Sequence, residues 1–561
     1  MVSPPGTSGL RLVVLSLWVM TLTVRALQVP STWLDTTSNL SRESRENLAL
    51  NAATAIGVDA IDPSSGLSQS IPTTQYMANL FAGLALQDYN RANNTWTKPV
   101  TQLMQDYYRK QGVYDAPGST GLVEDGNFWA LAFYYAYRTY RQEFLLETAI
   151  EIYNHTRATA FVTLDAAASG SGAGRNVSFV QTANCSDWTF AGGVFASNAV
   201  QNNTNVCAKC VGPFLALSAY LFEATNETVY SEAAQLSVDF MIHHLWNGTI
   251  VYDMFNLNTC TPHPNPLTVN QAGFIEGLAV WANVTKNATL TSLLEEVVSS
   301  TTTFPVWSLS GSPVISGEHT LNRFVRSTSH ESTESGALKN WAPNLKGLFI
   351  RGLAEARMRN PGSVIARYVE AYVTIQFNAL IDNAQGAAPD DSWYSPQWAG
   401  PRASSYNSAG NIAALDVLNT ALTFVSPESS GSSDDPVSTD SHGSSTPTGA
   451  VAGGVIGGIA AIAIAVIFTM RHQRRKRATT HSTDVLVTPN EDRSDGILEL
   501  SSVDPFVHTA PAAQTRNKWQ GETVYGYVPP DRDRAQVSPE ATESDLGRQE
   551  ELPPAYEVRN A

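Results

Sequence analysis

The chain has 561 residues, 43% of them hydrophobic, and its 51 acidic against 35 basic side chains give a formal charge of −16. Such a length suits one large domain with appendages, and the apolar share allows it a real core. The charge argues against general nucleic-acid binding, because no overall positive field exists to collect phosphates.

At the N-terminus, Arg11 precedes the apolar run Leu12 to Val24. Residues 1–26 therefore read as a secretory signal, cleaved near Ala26. From 27 to 424 the chain reads as nearly all helix. Apolar residues recur at three- and four-residue spacing in Glu43–Ala60, Thr74–Asn90, Val100–Gln111, Asn127–Tyr140, Phe144–His155 and Gly212–Glu223. The same spacing continues in Val229–His243, Ala272–Ala282, Leu290–Thr301, Leu345–Arg357, Val364–Ile381 and Ala409–Thr423. Long Gly-, Asn- and Ser-rich loops separate them at Ala167–Asn205, Asn256–Thr268, Ser308–Pro343 and Ala384–Ser408. About a dozen helices with long loops suggest an all-α toroid, which composition alone does not separate from a solenoid.

Residues 425–449, rich in Ser, Thr and Pro, read as a stalk. Residues 450–470 carry no charge, long enough for a transmembrane helix, and a basic cluster from Arg471 to Arg477 follows. That order places residues 471–561 in the cytosol as a disordered tail, and makes the chain a single-pass type I protein of the cell membrane. Near its end, Pro553, Pro554 and Tyr556 form a PPxY ligand for a WW-domain protein. Ten glycosylation sequons, at Asn39, Asn93, Asn154, Asn176, Asn184, Asn202, Asn226, Asn247, Asn283 and Asn287, all precede the membrane segment. Their one-sided distribution fits an extracellular domain. Cys185, Cys207, Cys210 and Cys260 fall in the same region and read as two structural disulfides, with three connectivities open. No second CxxC or nearby His pair completes a metal site around Cys207–Cys210.

Candidate chemistry centres on Glu124 and Asp125, which open an aromatic-rich helical run through Trp129. Glycoside hydrolysis needs two carboxyl groups flanking one bond, and nearby aromatic rings can wall a sugar site. The same residues also suit a helix start, with Asp125 as N-cap and Glu124 near the positive helix end. Asn270 and Gln271 are candidates for sugar hydroxyls, or for capping a helix at Ala272. Trp393 and Trp398, on the last long loop, are candidates for stacking on sugar rings or for packing under the loop. No dinucleotide fingerprint, P-loop or HExxH occurs, and no cofactor is expected.

Several segments, in order, resemble glycoside hydrolase family 76, the α-1,6-mannanase family with fungal cell-wall members. They are Glu124-Asp125-Gly126-Asn127-Phe128-Trp129, Ala191-Gly192-Gly193-Val194-Phe195, Gly212-Pro213-Phe214-Leu215, Thr268-Val269-Asn270-Gln271-Ala272-Gly273, Leu345-Lys346-Gly347-Leu348-Phe349-Ile350-Arg351 and Trp398-Ala399-Gly400-Pro401. The resemblance implies an (α/α)6 toroid over residues 27–424. It also implies a retaining mechanism on α-mannan, with Glu124 as nucleophile and Asp125 as general acid/base. The chain departs from the family pattern where Glu124 replaces an aspartate, Phe128 a tryptophan and Val269 a tyrosine.

The expected function is hydrolysis or transglycosylation of α-1,6-mannosyl glycans in fungal cell-wall assembly, with a mannose-containing polysaccharide as partner. The alternative is a catalytically silent glycan-binding receptor of the wall.

Overall fold

The computed structural model describes residues 27–426, except 63–64, 66–67, 69, 72–73, 115–120, 183–184, 186–187, 310 and 316–344. Two units divide the chain at Asp435, and all described residues belong to the first. The expected signal, the membrane segment 450–470, the tail with Pro553, Pro554 and Tyr556, the sequon Asn184 and most of the stalk lie outside the described residues. Among the described residues no helix is long and apolar enough to cross a membrane.

Thirteen α-helices are described: α1 (Arg42–Ile56), α2 (Thr74–Arg91), α3 (Thr97–Gln111), α4 (Val123–Tyr140), α5 (Glu143–Thr159), α6 (Leu164–Ser169), α7 (Ala208–Thr225), α8 (Thr228–Phe240), α9 (Thr268–Thr285), α10 (Ala288–Thr302), α11 (Lys346–Arg359), α12 (Val364–Ala379) and α13 (Ser408–Leu422). Side-chain caps set several of the starts. Ser41, Thr163, Asn287, Ser363 and Asn407 each accept a backbone N–H of the first turn. Strands are few and short: β1 (Asn205–Cys207), β2 (Met254–Asn256) and β3 (Thr261–His263) form one antiparallel sheet, and β4 (Ser308–Leu309) pairs with β5 (Ser312–Ile315).

Packing sorts the long helices into two rings. α2, α4, α7, α9, α11 and α13 each contact the next, and α13 closes back onto α2. The other six long helices lie outside: α1 packs on α13, α3 and α5 on α4, α8 on α7, α10 on α9, and α12 on α11. Burial shows the same division. Fifteen of the eighteen residues of α2 are buried, against four of the fifteen in α3. An inner helix faces protein all round, whereas an outer one buries only a stripe.

Neighbouring inner helices run parallel, because residues at like positions meet: Gly83 of α2 faces Leu415 of α13, Gly212 of α7 faces Gly273 of α9, and Gly352 of α11 faces Ala272 of α9. Their N-termini therefore gather at one end. At the other end a cavity of about 70 Å³ is lined by Tyr135, Arg138, Glu276, Arg351, Glu355 and Asp416, among others. Its charges are internally paired. Arg351 forks onto Asp416 at 2.9 and 3.2 Å, Arg138 donates to Glu355 at 3.1 Å, and Glu276 accepts from the hydroxyls of Tyr135 and Tyr220.

Helices α7 and α9 meet at a glycine pair. A Cβ on Gly273 would lie 2.6 Å from the carbonyl carbon of Gly212 and from Pro213. Gly273→Ala forces the α7 and α9 backbones apart, and we expect it to lower stability by about 1–3 kcal/mol, read as an earlier denaturant midpoint.

Candidate active site

The acid pair sits inside the first turn of α4, not ahead of it. α4 starts at Val123, whose N–H is held by the Ala196 carbonyl at 2.9 Å, and its N-cap is Leu122. Asp125 is therefore not the cap, and Glu124 and Asp125 project from a regular helix into the N-terminal end of the inner ring. Parallel helix dipoles put positive charge at that end and favour anions there.

Three inner helices contribute to one cluster. From α2, the Gln75 side-chain amide donates to Glu124 Oε1 at 3.0 Å and to Asp125 Oδ1 at 2.5 Å. From α7, Lys209 Nζ donates to Glu124 Oε1 at 3.2 Å and lies 3.1 Å from Oε2. Both carboxyl groups are fully buried, at 0% exposure. Burial pushes the Glu124 carboxyl above its ordinary value; Lys209 opposes that rise, and Asp125 and Asp253 add to it. Burial pulls the Lys209 ammonium down, but the carboxylates of Glu124, Asp253 and Asp125 outweigh it, and its net direction is upward. Lys209 is thus held as a cation.

Gly126 and Asn127 explain why the pair is followed by these residues. A Cβ at Gly126 would collide with the Tyr114 hydroxyl end, so only glycine lets that ring lie over α4. The Asn127 amide donates to the Cys210 carbonyl at 3.0 Å and accepts from Thr156 Oγ1 at 3.0 Å, which ties α4 to α7 and α5. Burial, and then the charge of Asp125, push the Tyr107 and Tyr114 phenols up to about 12, so both remain neutral near neutrality.

The remaining candidates take varied positions. Trp129 is fully buried, stacks on Tyr107 at 4.4 Å and donates to Thr74 Oγ1 at 2.7 Å. It packs α2, α3 and α4 together as a core residue, and no face of it is open to a sugar. Gln271 is buried and its side chain is bonded to the backbone of Val251 and Leu267, which splints α9 to the preceding loop. Asn270 donates to the Asn265 carbonyl at 3.1 Å, while its Oδ1 is buried with no partner among the described residues. Neither amide caps a helix at Ala272, because α9 begins a turn earlier with Leu267 as N-cap. Trp398 is fully buried with the Lys346 ammonium 4.2 Å over its ring, and its Nε1 has no partner among the described residues. Trp393 is half-buried and meets Tyr406 edge-on at 6.3 Å. No described contact joins Trp393 or Trp398 to the acid pair.

Two disulfides are formed, Cys185–Cys260 and Cys207–Cys210. The first ties the long loop after α6 to the β2–β3 hairpin. Of the sequons, Asn39, Asn154, Asn176, Asn202, Asn226, Asn247 and Asn287 are exposed, whereas Asn93 and Asn283 are half-buried. Sequence reading passed over Gln75, Lys209 and Asp253. A lysine in an otherwise apolar buried stretch, Val206 to Leu217, was the available signal for Lys209.

Comparison with known proteins follows this geometry. No curated protein matches the sequence. Residues 173–428 match the model of "Glycosyl hydrolase family 76", a region that begins after the acid pair. Among solved structures, the GH76A α-1,6-mannanase of Salegentibacter sp. HEL1_6 is similar with a TM-score of 0.51 at 13% identity, over 67% of this chain and 98% of that one. An inactive variant of that mannanase, with two consecutive aspartates replaced by asparagine, is in complex with α-1,6-mannotriose; it aligns with a TM-score of 0.50 at 12% identity, over 67% of this chain and 99% of that one. Dfg5 from Chaetomium thermophilum, in complex with glucosamine, gives a TM-score of 0.50 at 13% identity, over 69% of this chain and 91% of that one. At such identities these likenesses show the fold alone, and the family match rests on residues 173–428, which fit the glycosyl hydrolase family 76 model.

Proposed function

We propose that this chain is a retaining glycosidase or transglycosylase acting on α-1,6-mannosyl glycans, with Glu124 as nucleophile and Asp125 as general acid/base. The observation that carries this reading is the shared Gln75 amide. One nitrogen bonds Glu124 Oε1 at 3.0 Å and Asp125 Oδ1 at 2.5 Å, so these oxygens lie no further apart than the two bonds laid end to end, 5.5 Å. Retaining glycosidases hold their carboxyl groups about 5–5.5 Å apart, whereas inverting ones leave about 6.5–9.5 Å for a water.

In this reading Asp125 protonates the glycosidic oxygen while Glu124 attacks the anomeric carbon. Asp125 then takes a proton from water, or from a sugar hydroxyl, to release the covalent intermediate. Lys209 and the inner helix ends favour the anionic Glu124 that attack requires. Asn270 Oδ1, buried with no partner among the described residues, is an acceptor available to a sugar hydroxyl. The mannanase activity and mannotriose complex of the Salegentibacter protein support the choice of substrate. We also propose a type I membrane glycoprotein whose catalytic domain faces the fungal cell wall, with the PPxY segment docking a WW-domain protein in the cytosol. The sequons before residue 450 and the basic cluster after residue 470 support that topology.

A second reading, a silent glycan receptor, is favoured by one observation: both carboxyl groups are fully buried and Glu124 is ion-paired. Product analysis separates the two. The purified full chain, incubated with α-1,6-linked mannan oligosaccharides, is expected to give shortened or transferred chains. Glu124→Gln and Asp125→Asn each reduce the rate by at least about 10²-fold. Mannan binding without products selects the receptor.

Trp129 gives an independent check on which aromatic residues serve the sugar. Trp129→Phe removes the bond to Thr74 and is expected to cost about 1–3 kcal/mol of stability. Mannotriose affinity, measured by calorimetry on the folded variant, stays unchanged.

A further inference from the structure

Lys209 is immobilised in an unusual way for a lysine. It lies between Cys207 and Cys210, whose disulfide closes a ring over the first turn of α7. Both cysteines are buried, and their sulfur atoms and a Glu124 carboxylate oxygen all lie within 4.8 Å of one another. The sulfurs are bonded to each other, so they offer no thiolates to a metal. They serve instead as a wall beside the carboxylate. Two hydrogen bonds hold the ring from outside: Ala208 N–H donates to the Asp253 carbonyl at 2.8 Å, and the Cys210 carbonyl accepts from the Asn127 side-chain amide at 3.0 Å. Asn127 belongs to the same helix as Glu124, so the ring and the acid pair are mutually fixed.

We infer that Lys209, clamped by the Cys207–Cys210 ring, is a positioning residue that holds the Glu124 carboxylate aligned and ionised for attack. The inference rests on the proposed role of Glu124 as nucleophile. A free lysine carries a flexible four-carbon stem and several rotamers. The disulfide fixes the backbone on either side of Lys209, and its buried ammonium lies 3.2 and 3.1 Å from the two oxygens of Glu124. A glutamate reaches about 1.5 Å further than an aspartate, and displacement by about 1 Å can cost about a hundredfold in rate. A fixed cation on the far side of the longer side chain is a means of setting its position. The other groups facing the pair are Gln75 from α2 and Asp253 ahead of β2, with Tyr107 and Tyr114 beside Asp125. Among the described residues, the cation that meets Glu124 is Lys209.

The test uses the full chain with ¹³C-labelled glutamate carboxyls, the Glu124 resonance being assigned by its loss in Glu124→Gln. In Lys209→Met, the Glu124 titration is expected to move to higher pH. A nucleophile that protonates sooner carries the acid limb of the mannanase pH profile upward with it, and kcat falls on the order of 100-fold. Lys209→Arg restores the charge and part of the rate. Should Lys209→Met fail to fold, Cys207→Ser with Cys210→Ser keeps the lysine but opens the ring, and the same upward movement is expected. An unmoved Glu124 titration in the folded variants overturns the inference, as does a charge-restoring Lys209→Arg no better than Lys209→Met. If the wild-type chain releases no mannan products, the proposed activity falls, and the carboxyl titration still decides whether Lys209 governs Glu124.

Discussion

A charge enclosed by six packed helices has no water to solvate it, and the interior of this protein is ordered by that constraint. An isolated buried ion would cost many kcal/mol, so each must find a partner within the ring. The structure answers with pairs that bridge inner helices: Lys209 of α7 with Glu124 of α4, Arg351 of α11 with Asp416 of α13, and, across the ring, Arg138 of α4 with Glu355 of α11. Glu276 is met by two tyrosine hydroxyls from α4 and α7. Each pair is a directional link between inner helices whose contacts are otherwise apolar and non-directional.

The two ends of the ring use this polarity differently. Toward the C-terminal ends, arginines and carboxylates saturate one another in bidentate and forked bonds, and little is left over for a ligand. At the N-terminal end the balance is unequal. Among the described residues, Glu124, Asp125 and Asp253 face the ammonium of Lys209, and the amide of Gln75 is divided between two carboxyl oxygens. Helix dipoles make this the end where surplus negative charge is tolerated. A concentration of carboxylates under such a field suits chemistry in which one carboxyl group holds a proton and another does not.

The polar clusters also explain where sequence reading of the helices stopped short. Periodicity starts α4 at Asn127, α7 at Gly212 and α9 at Ala272, whereas they begin at Val123, Ala208 and Thr268. Each discrepancy is one turn at the N-terminus, and each missing turn holds buried polar residues: Glu124 and Asp125, Lys209, Asn270 and Gln271. Polar side chains there interrupt the apolar repeat although the backbone is helical. In α7, Pro213 reinforces the error, since proline usually marks a helix start and here lies one turn inside it. A local rule based on apolar spacing fails where buried polar residues are satisfied by tertiary partners.

By itself the sequence determined the alternation of helices and loops and two adjacent carboxyl groups at the head of an aromatic-rich helical run. These are properties of short windows, in which apolar spacing and adjacent carboxylates can be read directly. Only the tertiary structure decided that Gln75 and Lys209, about 50 and 85 positions from the pair, complete its surroundings. It also decided that Trp129 and Gln271 are committed to the core, and which cysteines join. Closing a ring brings together the first turns of helices far apart in the chain, and no window of sequence contains that contact.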